Sequence, residues 1–326
     1  MGSVAMTRRR LVIHVGCPKT GTTTLQRHVF PSISGVDFVG KHPTEARRYN
    51  VPSFAEIETA LDSKDVYHFA QFRPGPISDL RDHLLAQSAQ TVLVSFESLT
   101  HEFNAAGPWP KDIYLKAKHL CDILTDLNLD LDVKILLTIR RQTDGIPSFF
   151  SEIPYKYPSL YEPSLRDFVR FCLEDESAGF AQFYDYAYLD RLYGDIFGAE
   201  NVALVPMEGL FAADVPCERE HLGALLGVSA ESVHAATPDW REHARSRRDG
   251  TRTVYAYGRT PPWFLRPIQT TYRAVRSLTG IDLARAQVIA DVKYRLVTRT
   301  FSQETVLPDD DVLACIGRYY AASNAV

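Results

Sequence analysis

The sequence predicts an α/β fold with a mostly parallel, five-stranded sheet, and three observations carry that prediction. Short apolar runs rich in β-branched residues recur at Val12–Val15, Thr91–Phe96, Ile135–Ile139 and Asn201–Met207. Runs of this length with little polar alternation suit strands covered on both faces. Stretches with helical patterning separate them, such as Ile113–Leu127, as alternating β and α units require. Finally, Leu11–Phe30 reads as strand, Gly- and Thr-rich turn, and helix. The chain has 326 residues, 45% of them hydrophobic, enough for one large α/β domain or two modest ones. Its net charge of −4 gives no electrostatic case for general nucleic-acid binding. The five cysteines, Cys17, Cys121, Cys172, Cys217 and Cys315, are scattered without metal-type pairing and read as reduced thiols.

In the first unit, Gly16 and Gly21 bracket the turn, and Leu25 and Val29 recur at helical spacing. Glycine lets backbone N–H groups approach an anion, and a helix starting near Thr22 adds its positive end. The position of the lysine bears on which anion. A nucleotide-triphosphate loop places lysine directly after its second glycine. Here Thr22 follows Gly21, and Lys19 stands two residues before it. The order Pro18-Lys19-Thr20-Gly21-Thr22-Thr23 resembles the 5′-phosphosulfate loop of sulfotransferases that use 3′-phosphoadenosine 5′-phosphosulfate (PAPS). That resemblance implies a P-loop-like, three-layer α/β/α fold. It also implies donor binding by Lys19, Thr20, Gly21, Thr22, Thr23 and Thr24.

A second stretch extends the resemblance. The family binds the 3′-phosphate of PAPS with an Arg at a strand end and a Ser eight residues later. Here Ile135–Ile139 is followed by Arg140 and, eight residues on, by Ser148. A guanidinium suits bidentate phosphate binding, and a serine hydroxyl can donate to a remaining oxygen. Ser148-Phe149-Phe150 looks like the start of the next family helix. Arg141 is the rival to Arg140, and a strand-end arginine paired with a surface carboxylate is the plainer alternative.

The other elements follow in order. Met1–Arg10 has three arginines but no apolar stretch long enough for a signal peptide or membrane span, because the hydrophobic run breaks at Gly16. A cytoplasmic enzyme is expected. Val36–Gly40 reads as a second strand, running into Lys41, His42 and Pro43. Several sulfotransferase branches carry a general base at this strand end, usually Glu; His42 holds the place here, with Glu45 nearby. Ser53–Leu61 and Ile77–Ala86 read as helices, with a turn at Arg73-Pro74-Gly75-Pro76. After Thr91–Phe96 comes Glu97, the rival base, at a carboxyl strand end where open sheets collect ligands. The Pro- and Tyr-rich loop from Pro154 to Tyr161 could line an acceptor pocket or merely pack. Leu189–Phe197 reads as a helix ending at Gly198, Asn201–Met207 as the fifth strand, and His221–Leu226 as a helix. Five arginines fall between Arg241 and Arg252, and by position and charge Arg247 and Arg248 resemble the late basic loop that reaches the 3′-phosphate. Ile268–Leu278 and a final segment after Asp309 read as helices.

The expectation is a PAPS-dependent sulfotransferase, with residues 1–260 as the PAPS-binding domain and 261–326 as a helical C-terminal extension packed on it. Lys19 would stabilise charge on the departing oxygen, while His42 or Glu97 takes the acceptor proton, and no metal is required. The acceptor would be a small molecule, carbohydrate or lipid, with no nucleic-acid partner and no membrane insertion. Two alternatives stay open. One is a P-loop kinase or other NTP-dependent transferase, weakened by the missing lysine after Gly21. The other is a non-catalytic nucleotide-binding module.

Overall fold

The computed structural model describes residues 8–40, 49, 51, 53–61, 74–96, 99–100, 113–150, 165–174, 182, 184–212, 216–237, 254–257, 303–306 and 310–321. Five strands form one all-parallel sheet: β1 Arg9–Gly16, β2 Val36–Val39, β3 Thr91–Phe96, β4 Leu131–Ile139 and β5 Val202–Pro206, in the order β2-β3-β1-β4-β5. The chain leaves β1 for the far edge, returns through β3, then crosses to β4 on the other side. β1 is therefore where the winding reverses, and in open α/β sheets ligands gather beyond the carboxyl ends of strands at that point.

Alternation along the strands divides the core in two. Leu11, Ile13 and Val15 of β1 face one buried cluster, while Val12 faces a second with Leu93 and Leu136. The first cluster is covered by α2 Phe54–Leu61, α3 Pro74–Ala86, α4 Ile113–Asp126, α5 Gln142–Phe150, α6 Leu165–Glu174 and α7 Tyr186–Phe197. The second is covered by the segment after β1, by α8 Met207–Leu210, and by α9 Cys217–Leu226 and α10 Ala230–Ala236. Helices thus lie on both faces of the sheet, as the sequence predicts. β6 Val254–Tyr257 pairs antiparallel with β7 Gln303–Val306. The last helix, α11 Asp310–Tyr319, buries Val312 and Ile316 in the first cluster. No helix among the described residues is long and apolar enough to cross a membrane.

Three local features differ from expectation. The turn at Arg73–Pro76 is instead the start of α3 at Pro74, because the first helical turn needs no N–H from Pro74 or Pro76. Ser148 does not open a helix; α5 begins at Gln142 and carries Ser148 near its end, with Pro147 tolerated inside it. The helix after β1 is regular only for α1 Thr22–Thr24, then widens to a π turn over Leu25–Val29. That turn buries Gln26 together with Leu25 and Val29.

Candidate nucleotide site at the carboxyl edge of the sheet

β1 ends in register with β4, with Gly16 opposite Thr138. The two stretches singled out by sequence therefore leave the sheet side by side. The loop from Cys17 to Gly21 turns sharply enough that Lys19 (φ 66°) and Gly21 (φ 73°) both take left-handed backbone angles. At Gly21 this suits glycine, and a side chain there would also press on the Met207 sulfur at 3.0 Å. At Lys19 it is a strained choice of residue, the kind that clusters at ligand-binding loops. At Gly16 the constraint is space: an added Cβ would stand 2.2 Å from Cγ2 of Thr22. The Thr100 hydroxyl donates to the Gly16 carbonyl at 2.7 Å and holds the loop's entry.

The loop's side chains separate by exposure. Lys19, Thr22 and Thr23 are half-buried, while Thr20 and Thr24 are buried. The Thr20 hydroxyl donates back to the Cys17 carbonyl at 2.7 Å, beneath the loop. Thr22 and Thr23 open a helix, so their N–H groups lack acceptors within it, whereas the Leu25 N–H already donates to the Gly21 carbonyl at 3.0 Å. Cys17 is buried, and burial pushes its thiol up to about 12 against a smaller pull from the Thr100 hydroxyl. It stays a neutral packing group and not a nucleophile.

Arg140 stands just past β4 and reaches across to the loop, donating from Nη1 to the Lys19 carbonyl at 3.0 Å. Burial pushes its guanidinium down from its ordinary value, and the Glu208 carboxylate opposes that, so the charge persists. Its rival behaves differently. Arg141 is exposed and sits against carboxylates, 3.3 Å from Asp144 and 3.8 Å from Glu208. The surface-paired arginine is thus Arg141, and the one joined to the loop is Arg140.

Two tyrosines that the sequence reading left unassigned support this junction. Tyr186, at the start of α7, exchanges hydrogen bonds with the backbone of Arg140. Tyr184 lies so close to α5 that a Cβ on Gly145 would come within 2.9 Å of its ring, and its hydroxyl donates to the Pro18 carbonyl at 3.5 Å. Ser148 is half-buried in the last turn of α5. His42, Glu97, Arg247 and Arg248 lie outside the described residues, as do Glu45, the Pro154–Tyr161 loop and the Ile268–Leu278 run.

Beneath the loop lies a further polar group that sequence reasoning missed. His14 on β1, fully buried, contacts Ser95 of β3 through Nδ1 at 2.7 Å and Thr138 of β4 through Nε2 at 3.0 Å. Thr138 in turn lies 3.1 Å from the Thr20 hydroxyl, and Gln26 Nε2 donates to Ser95 at 2.7 Å. The available signal was one polar residue within the apolar carboxyl-terminal half of each of three strands.

No family model and no curated protein matches the chain. Among solved structures it is similar to a sulfotransferase from Alicyclobacillus acidocaldarius, with a TM-score of 0.40 and 17% identity, covering 86% of this chain and 98% of that one. It is also similar to mouse sulfotransferase SULT7A1 complexed with PAP, with a TM-score of 0.37 and 15% identity, covering 74% of this chain and 69% of that one. Both neighbours are sulfotransferases. Likeness this distant says nothing about which molecules the present chain binds, so the reading below rests on its own residues.

Proposed function

We propose that the chain is a PAPS-dependent sulfotransferase moving a sulfuryl group to a hydroxyl or amine of a small-molecule, carbohydrate or lipid acceptor. The observation that carries this reading is the 3.0 Å bond from Arg140 to the Lys19 carbonyl, which joins a strand-end guanidinium to a Gly- and Thr-rich anion loop. Two cationic anion-binding elements side by side suit a ligand with phosphate at two ends. The loop N–H groups and half-buried hydroxyls of Thr22 and Thr23 would hold the 5′-phosphosulfate. Arg140, with Ser148 and the late Arg247 and Arg248, would hold the 3′-phosphate.

In the proposed transfer, the acceptor oxygen or nitrogen attacks sulfur in line, and the bond from sulfur to the 5′-phosphate oxygen breaks. Lys19 stabilises charge on that departing oxygen. His42 or Glu97 receives the acceptor proton, and 3′-phosphoadenosine 5′-phosphate leaves. No covalent enzyme intermediate is needed, consistent with the neutral thiol of the loop's Cys17. Residues 1–260 would form the donor-binding domain and 261–326 the extension.

Calorimetric titration with 3′-phosphoadenosine 5′-phosphate and with ATP plus magnesium, on wild type and Arg140→Ala, tests the reading. Preference for the bisphosphate that collapses in the variant is expected. Preference for ATP, or indifference to Arg140, would return the chain to the kinase-like alternative.

A further inference from the structure

We propose that His14, Thr138 and Thr20 form a one-way hydrogen-bond relay that fixes the phosphate loop from below, making them positioning residues for the 5′ end of the nucleotide. The nucleotide half of this statement rests on the function proposed above, whereas the direction of the relay does not.

The direction follows from counting protons. A threonine hydroxyl has one to give. That of Thr20 goes to the Cys17 carbonyl at 2.7 Å, so in the 3.1 Å contact between hydroxyls Thr138 must donate to Thr20. The Thr138 proton is then committed, and its 3.0 Å contact with His14 requires His14 Nε2 to carry the hydrogen. On the other side Ser95 accepts from Gln26 Nε2 at 2.7 Å and is free to donate its own proton to His14 Nδ1 at 2.7 Å. The relay runs from Gln26 on the π turn through Ser95, His14, Thr138 and Thr20 to the Cys17 carbonyl. Every step has one donor and one acceptor, which is the condition for a buried polar network to rigidify its surroundings.

The relay ties the three central strands to the anion loop and to the turn that follows it. Gln26 holds the helix that follows the loop, and Thr20 holds its middle. All of His14, Thr20, Gln26, Ser95 and Thr138 are buried, His14 and Thr20 at 0% exposure. The Phe30 ring, steeply inclined to the imidazole with the two ring centroids 4.9 Å apart, closes the second core cluster beneath them. Thr20 thereby acquires a role different from the one its place in the motif implies. Its hydroxyl braces the loop from within, and the half-buried Thr22 and Thr23 remain to meet a ligand.

Two measurements test this. In a ¹⁵N-labelled chain, the His14 imidazole, assigned by loss of its signal in His14→Asn, should be protonated at Nε2 and bare at Nδ1; the Nδ1–H tautomer would overturn the relay whatever the protein binds. Binding is then measured for 3′-phosphoadenosine 5′-phosphate and for adenosine 3′-monophosphate. Thr138→Val should weaken the bisphosphate by about tenfold, leave the 3′-monophosphate unchanged, and be rescued by Thr138→Ser. Equal weakening of both ligands, or of neither, overturns the positioning role. A wild type that binds neither ligand sinks the sulfotransferase reading, and the tautomer still decides the relay. Should Thr138→Val fail to fold, Ser95→Ala provides the same comparison, with a bisphosphate-selective loss of about threefold expected and an unselective one excluding the role.

Discussion

Tyr186 holds Arg140 by both polar groups of its backbone: the phenol donates to the Arg140 carbonyl at 2.5 Å and accepts from the Arg140 N–H at 3.2 Å. Burial keeps the Tyr186 phenol well above its ordinary value, with only a small opposing effect from the hydrogen bond to Arg140, so its proton stays in place. The backbone at the end of β4 is thereby fixed where the guanidinium can reach the loop. Tyr186→Phe removes one hydroxyl and leaves two backbone groups unpaired. Affinity for 3′-phosphoadenosine 5′-phosphate should fall about three- to tenfold by calorimetry, the range expected for one buried hydrogen bond. Unchanged affinity would mean that Arg140 is held without the tyrosine.

Lys19 sits in a left-handed conformation that costs an ordinary residue roughly 1 kcal/mol and glycine almost nothing. Lys19→Gly should leave the urea midpoint at or above wild type, and under the proposed function it should cut sulfuryl transfer by about a hundredfold through loss of the ammonium. Lower stability would show that the lysine side chain itself holds the loop.

At Gly16 the strain is steric and belongs to a pair. Gly16→Ala drives a methyl onto Cγ2 of Thr22 and should cost about 1–3 kcal/mol of unfolding free energy. Thr22→Ser removes that Cγ2, so the double variant should recover most of the loss. Denaturation of all four chains gives the coupling directly, and purely additive effects would exclude the contact as the cause.

At the opposite edge of the sheet, Asp132 joins β4 to Arg10 at 3.1 Å and to Lys134 at 3.2 Å, while Arg10 also donates to the Ala224 and Leu225 carbonyls that end α9. Burial alone would raise the Asp132 carboxyl, but Lys134 and Arg10 outweigh it and hold the group below its usual value. A carboxyl depressed on folding stabilises above its unfolded value and loses that contribution as pH falls through the folded one. Asp132→Asn should therefore cost about 1 kcal/mol at neutral pH, with the difference from wild type closing below roughly pH 4. A gap that persists at low pH would point to lost packing and not lost charge.

Much of this architecture is legible in the sequence because its signals are local. Val12, Ile13 and Val15, the bracketing Gly16 and Gly21, and the Arg140 strand end each declare themselves within a few neighbours. Arg73-Pro74-Gly75-Pro76 reads as a turn in the sequence, yet proline in a first helical turn costs no hydrogen bond, and α3 begins at Pro74. The resemblance puts a helix start at Ser148-Phe149-Phe150, whereas α5 begins at Gln142 and includes Gly145 and Pro147, both poor helix formers held there by packing such as that of Gly145 on Tyr184. The relay was invisible for a different reason. His14, Ser95 and Thr138 meet only once three strands are in register, and that register is a property of the assembled sheet.

The central position of β1 has a consequence for the chain while it is being made. Val12 pairs with Leu93 on one side and Lys134 on the other, so the first of the five sheet strands to be synthesised has to wait for both neighbours. Until β4 emerges, β1 carries an open edge and an apolar surface, the state most prone to mispairing with another chain. Its pairings are distant in sequence, which slows closure of the sheet. Synthesis rate and chaperone supply, more than the stability of the finished protein, should then govern how much of it is recovered in soluble form.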